Sequence, residues 1–111
     1  MQCKSFIRAS HISHLRMHLD YYEVLRLYPP VPFNSKSTLK DDVLPDGTCL
    51  RKEDIICWCP YAQARSTQIW GSDANEFNPE RWMTDKGELI RESQGKWPAF
   101  NAGRRNCIGN F

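Results

Sequence analysis

The segment Phe-Asn-Ala-Gly-Arg-Arg-Asn-Cys-Ile-Gly at residues 100–109 places one cysteine among glycines, arginines and an aromatic residue. A thiolate that serves as a metal ligand needs backbone N–H groups that stabilise the charge on sulfur. It also needs glycines that let a flat macrocycle approach, and a cation for acidic groups on that macrocycle. The segment supplies these features around Cys107 at fixed offsets: Phe100, Gly103, Arg105 and Gly109.

A single cysteine also has a simpler explanation, because free cysteine is usually a small buried apolar residue. The pattern F-x-x-G-x-R-x-C-x-G nevertheless specifies five positions in ten residues, and two further motifs lie upstream. The first is Glu23-x-x-Arg26, followed by Leu-Tyr-Pro-Pro-Val-Pro at residues 27–32, and the second is Phe-Asn-Pro-Glu-Arg-Trp at residues 77–82. A spacing of three places Glu23 and Arg26 on one side of a helix, although most such pairs are exposed and contribute little.

The three motifs, in this order, resemble the K helix and its exit, the P-E-R-F/W segment and the cysteine loop of the cytochrome P450 monooxygenases. The stretch Trp-Gly-Ser-Asp-Ala-Asn-Glu-Phe at residues 70–77 is similar to the one that commonly precedes P-E-R-W in that family. Residues 32–35 and 57–65 look most similar to fungal members that hydroxylate n-alkanes and fatty acids. The resemblance covers residues 22–111.

This resemblance implies a haem-thiolate monooxygenase, which inserts one oxygen atom of O₂ into an apolar substrate such as an n-alkane or a fatty acid. Cys107 would be the axial ligand of the haem iron, and its electron push would favour O–O cleavage. Arg105 would face a haem propionate, as would Lys36, which stands where many members have an arginine. Phe100, Gly103 and Gly109 would complete the cofactor-binding loop.

The resemblance also implies a structural triad and a set of partners. Glu23, Arg26 and Arg81 would be buried together behind the cysteine loop, where the planar fork of arginine suits a carboxylate and backbone carbonyls. The cofactor would be haem b (iron protoporphyrin IX). Electrons would come from NADPH through an NADPH–cytochrome P450 reductase.

Hydrophobic spacing predicts one main helix from about His11 to Tyr28, and a proline pair at residues 29–30 ends it. The apolar stripe of this helix consists of Ile12, Leu15, Leu19 and Tyr22. Short strands flank a Pro-Asp-Gly turn at residues 45–47, and Ile55–Tyr61 reads as a third strand. A short helical or irregular stretch near residues 66–70 then leads into a long coil.

The expected fold is therefore mainly α with a small antiparallel β-sheet, the part of the cytochrome P450 fold from the K helix to the cysteine loop. Residues 1–21 are expected to form a divergent N-terminal segment, and residues 22–111 a partial haem domain. No A/G-G-x-D/E-T-T segment, which carries oxygen activation in the family, occurs in the sequence. The chain thus resembles a C-terminal fragment that would be inactive alone. The alternative is a truncated gene product with no stable fold or activity.

Composition excludes few functions. A net charge of +2 without a dense basic run argues against a nucleic-acid partner. No apolar run is long enough for a membrane anchor or a signal peptide, although the proteins it resembles are usually anchored in the endoplasmic-reticulum membrane. The five cysteines are an odd number without secretory context, and this favours reduced thiols.

Two other clusters raise the question of metal binding. Cys57 and Cys59 would share one face of a strand, but they lack the C-x(2–4)-C spacing and second ligand pair of a zinc site. Packing in the core is the preferred interpretation for both. His11, His14 and His18 would lie along one helical stripe and offer imidazoles to a transition metal, but a solvated polar face is the commoner arrangement.

Overall fold

The computed structural model describes the backbone of residues 3–109 and the side chains of residues 13–109. The chain is mainly α with small antiparallel sheets, as predicted. Its elements in order are helix α1 Cys3–Leu27, strands β1 Asn34–Ser37, β2 Asp42–Val43, β3 Cys49–Leu50 and β4 Ile55–Trp58, helices α2 Pro60–Ala64 and α3 Thr67–Trp70, and 3₁₀ turns at Pro79–Trp82 and Gly103–Arg105.

Helix α1 carries the predicted apolar stripe and ends where the prolines require it to end. Leu19 and Tyr22 are buried, and Leu15 packs against the same core. The last helical bond runs from the Tyr28 N–H to the Val24 carbonyl at 2.8 Å, directly before the two prolines. The helix begins earlier than predicted, and the side chains of residues 11 and 12 lie outside the described part.

The strands form two separate two-stranded antiparallel sheets rather than one. The hairpin β2–β3 is confirmed, and Gly47 in its turn has φ +88°, a conformation that glycine adopts readily. Strand β4 does not join this hairpin, because it pairs with β1 in the register Asn34 to Trp58. The predicted extension of this strand to Tyr61 is wrong, since Pro60 begins α2, and proline is favoured in the first turn of a helix.

A tryptophan-rich core lies between α1 and the turn Pro79–Trp82. Its fully buried centre is Trp82, whose ring contacts Tyr22 at 5.4 Å, Trp70 at 5.5 Å and Trp97 at 4.6 Å between centroids. Such edge-to-face and tilted contacts suit the quadrupoles of aromatic rings. The core therefore joins the last turns of α1 to the coil that leads to the cysteine loop.

The structure corrects the expectation that Cys57 and Cys59 pack in the core. Cys57 is exposed, because it lies on the outer side of a strand whose alternate residues are half-buried. Cys59 lies beyond the end of β4, is half-buried, and donates its S–H to the Pro32 carbonyl at 3.3 Å. All four cysteines whose side chains are described are free thiols, as predicted: Cys49, Cys57, Cys59 and Cys107.

The described histidines lie on a solvated face. His14 and His18 are exposed and stack their rings at 5.9 Å between centroids, whereas the side chain of His11 is outside the described residues. Within residues 13–109, no group of three or more histidine, cysteine or acidic side chains is arranged to hold a metal ion. In the same part of the chain, no helix is long and apolar enough to cross a membrane.

Candidate functional site

Glu23 is the centre of a buried charge network on the inner face of α1. Its carboxylate is fully buried and accepts five hydrogen bonds. Oε1 accepts from Arg26 Nη2 at 2.7 Å, Arg81 Nε at 3.0 Å and the Asn78 N–H at 2.9 Å. Oε2 accepts from Arg26 Nε at 2.8 Å and Trp82 Nε1 at 2.9 Å. The structure thus brings together the three residues of the predicted triad.

Arg26 ties two segments of chain, the end of α2 and the coil after α3, to the helix. It is fully buried and forms a bidentate pair with Glu23, the geometry that the planar guanidinium favours. Its remaining donors reach the carbonyls of Ala64 at 2.5 Å, Ala74 at 2.7 Å and Glu76 at 3.1 Å. The end of α2 and the coil after α3 are therefore fixed to α1 through one side chain.

Arg81 brings a second carboxylate, Asp73, into the network. Arg81 Nη2 donates to Asp73 Oδ2 at 2.8 Å and to the Asp73 carbonyl at 3.0 Å, and Asn78 Nδ2 donates to the same Oδ2 at 3.0 Å. Two carboxylates and two guanidiniums consequently form a network with no net charge.

Three members of this network were not predicted: Asp73, Asn78 and Trp82. All three lie in sequence motifs described above. Asp73 belongs to the Trp-Gly-Ser-Asp stretch, and Trp82 closes the Pro-Glu-Arg-Trp motif. Asn78 lies in the Phe-Asn-Pro-Glu-Arg-Trp motif, but no pattern indicated that its backbone N–H and its side-chain amide would both donate to carboxylates of the network.

The network controls the ionisation of its carboxylates. Burial alone would raise the pKa of Glu23, but hydrogen bonds from Arg26, Asn78, Trp82 and Arg81 outweigh burial and hold the pKa below its usual value. The pKa of Asp73 is also lowered, by hydrogen bonds from Asn78 and Arg81. Both groups are therefore ionised at neutral pH, and their negative charges balance the positive charges of Arg26 and Arg81.

The cysteine loop is closed by its own backbone. The Cys107 N–H donates to the Phe100 carbonyl at 2.7 Å, and the Gly109 N–H points at the Cys107 sulfur at 3.4 Å. Gly103 has φ +60°, a backbone conformation that a residue with a side chain adopts only under strain. Cys107 itself is exposed, so its sulfur is accessible to a ligand.

Aromatic rings connect this loop to the core. The Phe100 ring stands edge-on against Trp97 at 5.6 Å, and Trp97 packs on Trp82 at 4.6 Å. Trp82 is hydrogen-bonded to Glu23. The position of the loop therefore depends on the buried charge network through a continuous set of contacts.

An open cleft of about 580 Å³ lies between the cysteine loop and β1. Its walls include two cations that are distant in sequence, Lys36 and Arg105, together with Trp58 and Asn101. The Lys36 ammonium lies 5.5 Å from the centre of the Trp58 ring. A cleft with two cations can accept a ligand that carries acidic groups, and the structure places both predicted propionate contacts there.

Comparison with known proteins identifies the chain's relatives. The family model for cytochrome P450 matches residues 12–111. The alkane hydroxylase MAH1 of Arabidopsis thaliana is 47% identical over 93 residues, which are 84% of this chain and 19% of that protein. A cytochrome P450 of Helianthus annuus is 46% identical over 99 residues, which are 88% of this chain and 63% of that protein.

A third relative carries a name with a different activity. A noroxomaritidine synthase of Narcissus aff. pseudonarcissus MK-2014 is 48% identical over 97 residues, which are 87% of this chain and 19% of that protein. The chain thus spans about a fifth of the length of two of these three relatives. All three are plant proteins, and the greater likeness to fungal members stays a prediction.

Proposed function

The chain belongs to the cytochrome P450 family, and from this premise we propose that it carries the thiolate-ligand portion of a haem-dependent monooxygenase. The observation that carries the proposal is the placement of an accessible cysteine sulfur in a loop that borders a cleft with two cations. The substrate class that we propose is a small apolar molecule such as an n-alkane or a fatty acid.

The residues around Cys107 fit a haem. The sulfur is exposed and faces a backbone N–H, which stabilises negative charge on a thiolate. A Cβ added at Gly103 would meet no atom within 4 Å, so this side of the loop is open for a flat ring to approach. Lys36 and Arg105 supply two positive charges in one cleft, matching the two propionates of haem b.

We assign each residue one role. Cys107 would hold the haem iron through its thiolate, and the bound haem would supply the oxygen chemistry, to which a thiolate contributes electron density. Arg105 and Lys36 bind the propionates, Arg105 through its planar fork and Lys36 as a point charge. Phe100 accepts the Cys107 N–H with its carbonyl and anchors the loop to Trp97 with its ring.

The buried network supports this loop from behind. Glu23 and Arg81 fix the turn Pro79–Trp82, which holds Trp82 against Trp97. Residues that orient a metal ligand without touching the metal commonly control its affinity. We therefore propose that the Glu23–Arg26–Arg81 triad acts on haem retention rather than on the chemical step.

Two of the relatives differ in the activity that their names give. At nearly equal identity, one relative is named as an alkane hydroxylase and another as a noroxomaritidine synthase. The electron donor that we propose is NADPH, through a cytochrome P450 reductase.

The test is the ferrous–CO spectrum of the haem-loaded protein with Cys107→Ser, with Cys57→Ser as the matched control. Cys57 is an exposed cysteine outside the loop. The red-shifted Soret band of thiolate ligation is expected in the parent and in Cys57→Ser, and its loss in Cys107→Ser. Retention of the band in Cys107→Ser would exclude the ligand assignment. A parent protein that takes up no haem would favour the alternative of an inactive gene product.

A further inference from the structure

Gln94 holds both ends of the turn that leads to Cys107. Its Oε1 accepts the Gly103 N–H at 3.3 Å, and its Nε2 donates to Asn106 Oδ1 at 3.2 Å. Gly103 is the first residue of the turn Gly103–Arg105, and Asn106 directly precedes Cys107. One carboxamide therefore bridges the beginning of the turn and the residue next to the sulfur.

The backbone around Gln94 is itself anchored. The Ser93 carbonyl accepts the Trp97 N–H at 2.9 Å, so the residues between them form a tight turn. Gln63 of α2 donates its Nε2 to the Gly95 carbonyl at 2.5 Å. Because Trp97 packs on the buried core, Gln94 extends toward the loop from a fixed base.

Side-chain packing does not fix the turn Gly103–Arg105, in contrast to the residues around Gln94. The turn Gly103–Arg105 contains no buried residue, and Cys107 and Asn106 are exposed. Exposed segments with few apolar contacts depend on hydrogen bonds for their local order. The two hydrogen bonds from Gln94 therefore contribute more to the local order of this turn than they would in a packed segment.

We propose that Gln94 is a positioning residue for Cys107: its carboxamide, bound to Gly103 and Asn106, keeps the sulfur in the orientation required for ligation. The inference rests on the proposed function, because it concerns the thiolate ligand of a haem. Gln94 does not line the cleft that contains Lys36 and Arg105, and its two hydrogen bonds reach Gly103 and Asn106 of the turn.

The experiment measures two properties of the haem-loaded protein with Gln94→Ala. These are the fraction of the ferrous–CO complex with the red-shifted thiolate band and the rate of haem dissociation. Loss of the two exposed hydrogen bonds is expected to raise the dissociation rate about threefold to tenfold and to lower the thiolate fraction. Gln68→Ala is the matched control, since Gln68 is an exposed glutamine whose side chain forms no hydrogen bond with the described residues.

A second variant, Asn106→Ala, removes the acceptor of the Gln94 hydrogen bond and leaves Gln94 in place. If Gln94 acts through Asn106, the effect of Gln94→Ala becomes smaller in the Asn106→Ala background. Strictly additive effects of the two changes, or a Gln94→Ala protein identical to Gln68→Ala, would overturn the inference. A parent protein without the thiolate band would instead refute the proposed function, so the two failures are distinguishable.

Discussion

The indole N–H of Trp82 donates a 2.9 Å hydrogen bond to Oε2 of Glu23, and this bond joins the aromatic core to the buried charge network. Both side chains are fully buried. Trp82 is the only tryptophan in the described core cluster with a partner for its buried N–H, since Trp70 Nε1 has none. The Trp82 ring is therefore oriented by its polar atom as well as by its packing.

Trp82→Phe tests this bond, because phenylalanine keeps an aromatic ring but removes the N–H. A hydrogen bond to a charged group contributes about 1.5–3 kcal/mol, and we expect a loss of that size in the free energy of unfolding. Urea denaturation of the haem-loaded protein measures it. Trp58→Phe, at the half-buried end of β4, is the comparison and should change stability less. Equal losses in the two variants would contradict a special role for Trp82.

Glu23→Ala removes the acceptor of five buried hydrogen bonds and leaves two arginines without their common partner. Breaking a buried ion pair costs about 3–5 kcal/mol, because the remaining charge is uncompensated. We expect that this variant is purified with little or no haem. Glu80→Ala is the control, as Glu80 pairs with Arg16 on the surface and its removal should have little effect. Normal haem content in Glu23→Ala, measured by the pyridine haemochrome assay, would refute the supporting role of the triad.

Arg26→Lys keeps the charge but removes the planar fork. A lysine cannot form the bidentate pair with Glu23 while also reaching the carbonyls of Ala64 and Ala74. Leaving buried acceptors without donors costs about 1–3 kcal/mol for each group. The melting temperature should fall clearly, whereas Arg65→Lys, at an arginine that stacks on Tyr61 near the surface, should lower it less. An unchanged melting temperature in Arg26→Lys would mean that charge alone is sufficient.

Stability should depend on pH through Glu23. The pKa of Glu23 is lower in the folded state than its ordinary value of 4.5, so the unfolded state binds more protons as the pH falls. The stabilisation is fully present above this ordinary pKa and is lost as the pH falls through the folded-state pKa. Denaturation midpoints measured at successive pH values check the prediction. Glu23→Gln cannot titrate at this position, so its stability should decrease less as the pH falls.

Local patterns were sufficient to predict α1 and the β2–β3 hairpin. The apolar spacing of Leu15, Leu19 and Tyr22 predicts a helix, and a turn with Gly47 predicts the hairpin, since neighbouring residues determine both. The pairing of β4 with β1 could not be predicted, because register between distant segments depends on contacts that no local pattern specifies. The exposure of Cys57 was missed for the same reason.

The candidate site was predictable only where a motif marked it. The resemblance identified Glu23, Arg26 and Arg81, and the structure places them in contact. The hydrogen bond from Gln94 to Asn106 connects two residues of an ordinary polar stretch. No sequence pattern marks Gln94, and its role is evident only in the folded loop. Asp73 belongs to a motif, but its pairing with Arg81 is evident only in the folded structure, where the two side chains meet.

The neutrality of the network of Glu23, Asp73, Arg26 and Arg81 has an evolutionary consequence. Any single charge-changing substitution leaves a buried or half-buried ion uncompensated, and the matching change must then arise elsewhere in the chain. Intermediates between two such sequences would pass through an unstable protein. These four positions are therefore expected to be inherited as a unit, so that segments exchanged between relatives are compatible only when the hybrid chain keeps both carboxylates and both guanidiniums.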